Sequence, residues 1–412
     1  MLGYHTKDAP AFGLMWLQMI LLCSMQKAYL VAARRTPIGS FHGKLAEVKA
    51  TDLGAIALKA AIEEAQIPPT AIEEVYFGNV LSANLGQAPA TQVALRAGLP
   101  PTVPATTINK VCASGLKAVM LAAQSIALGE ADLIAAGGME SMSQAPFYLP
   151  NHRTGHRFGH VSMLDAILRD GLEDAFCGLT MGTITETCAA TYHLSREMQD
   201  EYAIASYQRA QRAQKEGYFA REIVPVQTSA GAVGEDEEPG RARFDKIPSL
   251  RPAFKPDGTI TAANASKIND GAAAVIVASE KALKTHTLKP LARIVSWADA
   301  AREPEWFTIA PTDAIQKALQ KANLSIDRID AFEINEAFAA VALANQKLLN
   351  IPQEKLNVFG GAVALGHPLG ASGARILVTL LNVLSHIGGR YGAIGICNGG
   401  GGASALIIER LS

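Results

Sequence analysis

ALKAAIEEAQIPPTAIEEVYFGNV, residues 57–80, and AIQKALQKANLSIDRIDAFEINEA, residues 314–337, lie over one another at a shift of 257. Each reads as helix, turn and strand. Under that shift Ile62 meets Leu319, Ala65 meets Ala322, Ile67 meets Leu324, Ile72 meets Ile329 and Val75 meets Phe332, so apolar positions coincide almost throughout. Further along, Ala113-Ser114-Gly115 pairs with Ala371-Ser372-Gly373 at a shift of 258, and each triplet opens an apolar helix. A strand ending in glycines follows in both halves, Leu133 to Gly138 and Ala393 to Gly400. Helices and strands alternating at these lengths predict an α/β fold of two similar units with buried central strands.

A third match, Gly271 to Val277 with Gly402 to Ile408, falls at a shift of only 131. In the second half the closing strand follows the glycines directly, whereas a long loop-rich segment intervenes in the first. The chain therefore divides into an extension outside the fold (1–24), a first half (25–141 and 269–289), an inserted loop domain (142–268) and a second half (290–412). The insertion carries the acidic GEDEEPG stretch. Duplicated halves pack about a pseudo-twofold axis, which predicts a site near their junction.

With 412 residues, 49% of them hydrophobic and 18% charged, most of the chain must fold, and into more than one core. Lys+Arg 37 against Asp+Glu 38 gives no global field for nucleic acid or an anionic membrane. Five irregularly spaced cysteines form neither a disulfide framework nor a metal knuckle, so a reducing compartment fits. Ala11 to Cys23, AFGLMWLQMILLC, is too short to span a bilayer and has only Lys7 as a basic flank. It reads as an upstream extension before a start at Met25, with a targeting segment as the other reading.

Four residues suggest sulfur-based acyl chemistry. Cys112 precedes the predicted helix Ala113 to Leu128, where a helix N-terminus would lower its thiol pKa; a buried small hydrophobe is the plainer alternative. His367, in Gly366-His367-Pro368-Leu369-Gly370, precedes the equivalent helix and reads either as a base for a facing cysteine or as a structural loop histidine. Cys397 precedes Asn398 and four glycines, which would expose backbone amides. Asn335 ends a predicted strand, as a carbonyl-polarising amide or a turn residue. The repeat sets Cys112 against Gly370 and Cys397 near Ala135, so the two thiols are not equivalent and their roles should differ.

Asn109-Lys110-Val111-Cys112-Ala113-Ser114-Gly115, Asn335-Glu336-Ala337-Phe338, Gly366-His367-Pro368 and Cys397-Asn398-Gly399-Gly400-Gly401 resemble, in order, the four signature blocks of thiolases. The resemblance runs from about Met25, through Ala33-Arg34-Arg35-Thr36-Pro37, to the C-terminus. It implies the duplicated five-layered αβαβα thiolase fold and a reversible acetyl-CoA C-acetyltransferase with coenzyme A as substrate and product. By that analogy Cys112 carries the acyl group, His367 activates it, and Cys397 moves the α-proton. Asn335 holds a water, and the amides of Cys112 and Gly399 form an oxyanion hole. No metal or redox cofactor is required.

The resemblance also places Leu172, Met181, Ala262, Ser266 and Phe338 along a pantetheine channel, Arg241 near a CoA phosphate, and Tyr207, Ala262, Ala263, Ala265 and Val363 around a potassium ion. Phe307-Thr308-Ile309-Ala310-Pro311 is similar to a loop of the potassium-activated branch, which has proline where Thr308 stands. Thr180 replaces the histidine usual in short-chain members, which keeps a broader 3-ketoacyl-CoA thiolase of fatty acid β-oxidation as the alternative. A ketoacyl synthase would lack the second thiol, and a non-catalytic acyl-CoA binding protein would show an eroded catalytic position. His152, His156 and His160 recur at metal-like spacing, but Gly155 and Gly159 argue for an oligomer-interface loop. A cytoplasmic homotetramer of bacterial type is expected, an organellar matrix being the other location.

Overall fold

The computed structural model describes residues 26–411; the reading of residues 1–24 as an extension lies outside them. The first half runs β1 (Ala28–Arg35), α1 (Ala50–Ala65), β2 (Glu74–Gly78), α2 (Pro89–Arg96), β3 (Ala105–Ile108), α3 (Ser114–Leu128) and β4 (Leu133–Ser141), and returns as β5 (Asn269–Ser279). Between β4 and β5 lie α4 (Met181–Thr191) and α5 (Arg196–Lys215) among short turns. The second half runs β6 (Ala292–Ala301), α6 (Ala310–Ala322), β7 (Ala331–Ile334), α7 (Ala339–Leu349), α8 (Leu369–Ile387), β8 (Tyr391–Asn398) and β9 (Gly402–Arg410).

The strand order is β3-β2-β4-β5-β1, continued as β6-β9-β8-β7. The two halves meet where Ala28, Tyr29 and Leu30 of β1 pair with Ile294, Arg293 and Ala292 of β6. Read outward from that joint, each half repeats the same order, and a single parallel bridge from Phe332 to Leu356 stands where β3 pairs with β2 in the first half. The repeat extends to fine detail. Helices α1 and α6 both end on a left-handed residue, Gln66 and Asn323, and a one-turn 3₁₀ helix follows each, Pro69–Ala71 and Ile326–Arg328.

Alternation along the strands sorts their side chains into layers. Val275 and Val277 of β5, with Ile394 and Ile396 of β8 and Leu406 and Ile408 of β9, face a central core containing Leu116 and Met120 of α3 and Leu377 and Leu380 of α8. From the other face of the first half, Ala274 and Ile276 pack on Leu53, Leu58 and Ile62 of α1. From the other face of the second half, Ala393, Ala405 and Ile407 pack on Ala314 and Ile315 of α6. Helix, sheet, helix pair, sheet, helix is the αβαβα order. Helices α3 and α8 are apolar nearly all round because both sides of that middle layer are covered.

Paired each with the closing strand of its own half, β4 and β8 are equivalent strands in which Leu133 corresponds to Tyr391, so Cys397 corresponds to Met139 rather than to a position near Ala135. The start of α3 touches the start of α8 with almost no side chain between them. A Cβ on Gly115 would sit 2.8 Å from the Gly370 carbonyl oxygen, and one on Gly138 would overlap that same oxygen. Gly138→Ala should therefore cost about 3 kcal/mol or more through overpacking against main chain that cannot yield. Gly240→Ala, with open space around it, should stay within about 0.5 kcal/mol of wild type. Equal thermal midpoints for the two variants would overturn this account.

Candidate active site

The glycine contact brings two loops together. Ahead of α3 the chain bends sharply: Val111 takes φ 46, a costly conformation for a β-branched residue. Asn109 Oδ1 accepts from the Val111 N–H (2.9 Å), and Ser114 Oγ accepts from the Lys110 N–H (2.8 Å) and donates to the Val111 carbonyl (2.6 Å). Lys110 ties the bend to the other half through Asp299, Ser404 Oγ and the Ala403 carbonyl. Ala403 is the register partner of Cys397. Cys112 follows at once, with its own N–H and that of Gly399 directed at its sulfur.

Burial outweighs those two donors and pushes the Cys112 thiol up to about 12, overturning the expectation that a helix N-terminus would lower it. Cys397 is buried and also raised, first by burial and then by the nearby Cys112 charge. The glycines after it serve the hairpin as well as the site. Gly400 and Gly401 take φ 81 and φ 83 to turn β8 into β9.

His367 is buried, and its N–H donates to Asn269 Oδ1 (3.0 Å). Its Nδ1 lies 2.6 Å from Ser372 Oγ, whose single proton goes to the Pro368 carbonyl (2.9 Å). Nδ1 must then be the donor of that pair, which leaves Nε2 as the basic nitrogen. Burial, then the Arg375 charge, holds the imidazole down at about 3 and hence neutral. Asn335 Nδ2 stands 3.5 Å from Nε2.

Beside these residues opens a cleft of about 570 Å³. Leu172, Met181, Ala262, Ser266 and Phe338, expected along a channel, and Arg241, expected near a phosphate, all line it together with His367. Cys397 packs in one apolar cluster with Met181 and Phe338. Phe254 meets Phe338 edge-on at 5.9 Å. Ser266 N–H donates to the Ala337 carbonyl (3.0 Å) and Ala339 N–H to Asn264 O (2.8 Å), so the cleft wall and the Asn335 segment are stitched together. Thr180 caps α4 at the cleft edge, its Oγ1 2.9 Å from Thr183 Oγ1.

Sequence models of the thiolase N-terminal and C-terminal domains match residues 28–281 and 288–410. The chain belongs to the thiolase family. It is 54% identical to the cytosolic acetyl-CoA acetyltransferase of Gibberella zeae over 95% of this chain and 100% of that one. Identity to acetyl-CoA acetyltransferase 2 of Arabidopsis thaliana is 55%, over 93% and 96% respectively. A thiolase from Ascaris suum, solved in complex with coenzyme A, superimposes with a TM-score of 0.90 at 46% identity, covering 94% of this chain and all of that one.

In this thiolase the residues expected around potassium do not fit a free ion. The carbonyls of Ala263, Ala265 and Val363 accept from the ammonium of Lys267 at 3.5, 2.9 and 2.8 Å, the Tyr207 ring lies under it, and Ala262 lines the cleft instead. Thr308 is buried, its carbonyl accepting from Asn345 Nδ2 at 2.8 Å. The histidines at 152, 156 and 160 are exposed, and His156 Nε2 lies 3.2 Å from the Gly159 carbonyl of its own loop.

Sequence reasoning missed the supports. Ser372 was legible only as a repeat residue. Glu336 accepts from Tyr202 Oη (2.8 Å), Ser206 Oγ (2.8 Å), Asn357 Nδ2 (2.9 Å) and the Val363 N–H (3.0 Å), fixing the segment that carries Asn335. Glu140 accepts from the N–H groups of Gly370, Val80 and Leu81, and burial raises it to about 7. A thiol held near 12 predicts that alkylation of Cys112 by iodoacetamide in the ligand-free protein rises about tenfold per pH unit through neutrality, tracking the thiolate fraction. Peptide mass spectrometry across pH checks this; a plateau below pH of about 8 would show a preformed thiolate.

Proposed function

We propose that this chain is an acetyl-CoA C-acetyltransferase, joining two acetyl-CoA into acetoacetyl-CoA and CoA, or cleaving that product, through an acyl-enzyme. The observation that carries this reading is the convergence of Cys112 and Cys397, from opposite halves, beside an apolar cleft that includes a histidine with a free basic nitrogen.

Nε2 of His367 takes the Cys112 proton as its sulfur attacks the thioester carbonyl, while the amides of Cys112 and Gly399 receive the oxyanion. The departing CoA sulfur takes a proton from Cys397. The resulting Cys397 thiolate then removes an α-proton from the second acetyl-CoA, and the enolate attacks the acyl group on Cys112. Cys112 leaves as thiolate and recovers its proton from His367. Asn335 sets an amide beside Nε2 and, with a bound water, polarises the second carbonyl. Arg241, exposed on the cleft lining, suits a CoA phosphate.

The bulk of Met181 and Phe338 against Cys397 supports a short acyl group over the broader 3-ketoacyl-CoA alternative. A reducing, cytoplasmic setting suits the free thiols, and a homotetramer would cover the exposed Phe147, Phe158 and Phe176 of the inserted segment.

Incubation with acetyl-CoA should add one acetyl mass to Cys112 in wild type and in Cys397→Ser, and none to Cys112→Ser. Cys397→Ser should load but neither condense nor cleave; equal loss of the adduct in both variants would contradict the division of labour. Ser372→Ala should lower kcat by about tenfold to a hundredfold, because an unpaired buried Nδ1–H costs about 1–3 kcal/mol and frees the ring to turn. Thiolysis of acetoacetyl-CoA, 2-methylacetoacetyl-CoA and a long-chain 3-ketoacyl-CoA should favour the first.

A further inference from the structure

Lys267 ends its side chain against three main-chain carbonyl oxygens, those of Val363 at 2.8 Å, Ala265 at 2.9 Å and Ala263 at 3.5 Å. Its Nζ also lies 4.9 Å from the centre of the Tyr207 ring. No carboxylate pairs with it at salt-bridge distance among the described residues, although Glu238 and Glu336 act on it at longer range. Carbonyl dipoles replacing a hydration shell, with an aromatic face beneath, make the coordination that a dehydrated monovalent cation takes. Here the cation is covalently attached to the chain.

The cage joins three segments. Ala265 and Lys267 themselves line the cleft and Ala263 adjoins its lining, Val363 lies four residues ahead of His367, and Tyr207 stands on α5 of the inserted segment. The main chain of Lys267 strengthens the joint, since its carbonyl accepts from the His367 N–H at 3.3 Å. Three carbonyl oxygens and the negative face of a ring, gathered around one point, repel one another unless a positive charge sits between them. We propose that the Lys267 ammonium is a tethered substitute for a free monovalent cation, a positioning group that clamps the acyl-CoA cleft wall to the His367 loop and makes the enzyme independent of potassium.

The kinetic arm of the test rests on the acetyl-transfer reading, and the thermal arm does not. Full-length wild type, Lys267→Ala and Lys267→Met are compared in potassium, sodium and choline chloride at equal ionic strength, by thermal midpoint and by kcat and KM for acetoacetyl-CoA thiolysis. Wild type should give the same values in all three salts. Lys267→Ala opens the cage. In choline its KM should rise about tenfold, and potassium should bring it back to within about threefold of wild type. Potassium should also raise its melting temperature, as expected for an ion that binds only the folded state. Lys267→Met fills the same space without charge, so it should show the raised KM with no rescue by potassium.

Potassium activation of the wild type would overturn the proposal. So would a Lys267→Ala protein whose midpoint and KM ignore the choice of cation, since Lys267 would then act on the cleft directly. If Lys267→Ala cannot be purified, wild type and Lys267→Met decide: a wild-type KM in the methionine variant refutes the clamp. Absence of thiolysis in every protein, with the potassium-dependent midpoint of Lys267→Ala intact, would refute the reaction and leave the cage standing.

Discussion

The close main-chain approach of α3 and α8 is the constraint on which the rest of this molecule depends. Gly115 and Gly138 in the first half meet Gly370 in the second, and Gly373 presses on the Leu116 main chain. Any side chain at these points would push the two helix starts apart. Because Cys112 and His367 lie in the loops feeding those helices, the glycines set the separation of nucleophile and base. Glu140 secures the same contact from the side, holding the Gly370 N–H together with the N–H groups of Val80 and Leu81. A buried carboxylate with several donors is stable in such a place, whereas one left unpaired would be expensive.

Burial then decides the chemistry. A helix N-terminus offers Cys112 a small stabilisation, but enclosure of the thiol between two sheets overrides it. The same enclosure, with Arg375 nearby, keeps His367 neutral. Thiol and imidazole therefore rest uncharged, and the proton moves when a carbonyl arrives to take the developing charge onto the amides of Cys112 and Gly399. Charge made only in the transition state is what preorganised amides stabilise best.

Much of this was legible in the sequence because duplication writes the fold twice. The 57–80 and 314–337 segments gave the helix, turn and strand in register, and the structure adds the paired left-handed caps Gln66 and Asn323. The six cleft residues were placed by motif. What stayed hidden depends on distance in space rather than along the chain. Nothing local in Gly366-His367-Pro368 says that Ser372, five residues on, accepts from its Nδ1–H. Nothing in Val111 announces a positive φ, since a β-branched residue is the last expected there. Lys267 drew no reading from the sequence, because the carbonyls around it come from residues with apolar side chains, and main-chain ligands leave no mark in composition.

The inserted segment, finally, is tied to the chemistry by directional polar groups as well as by the apolar face of α5, whose Ala203, Tyr207 and Ala210 join the central core. Asp200 of α5 accepts from Asn264 Nδ2 (2.9 Å), and Tyr202 and Ser206 of the same helix hold Glu336. One helix thus fixes both the cleft wall and the Asn335 segment. Apolar packing would tolerate slippage along the helix, whereas directional hydrogen bonds to buried groups admit one register. A loop-rich insertion with little core of its own gains its order from the site it serves. The cleft and the reacting groups consequently form one unit, so a change in how the acyl-CoA seats against the 262–266 wall is felt at His367 without any element having to move.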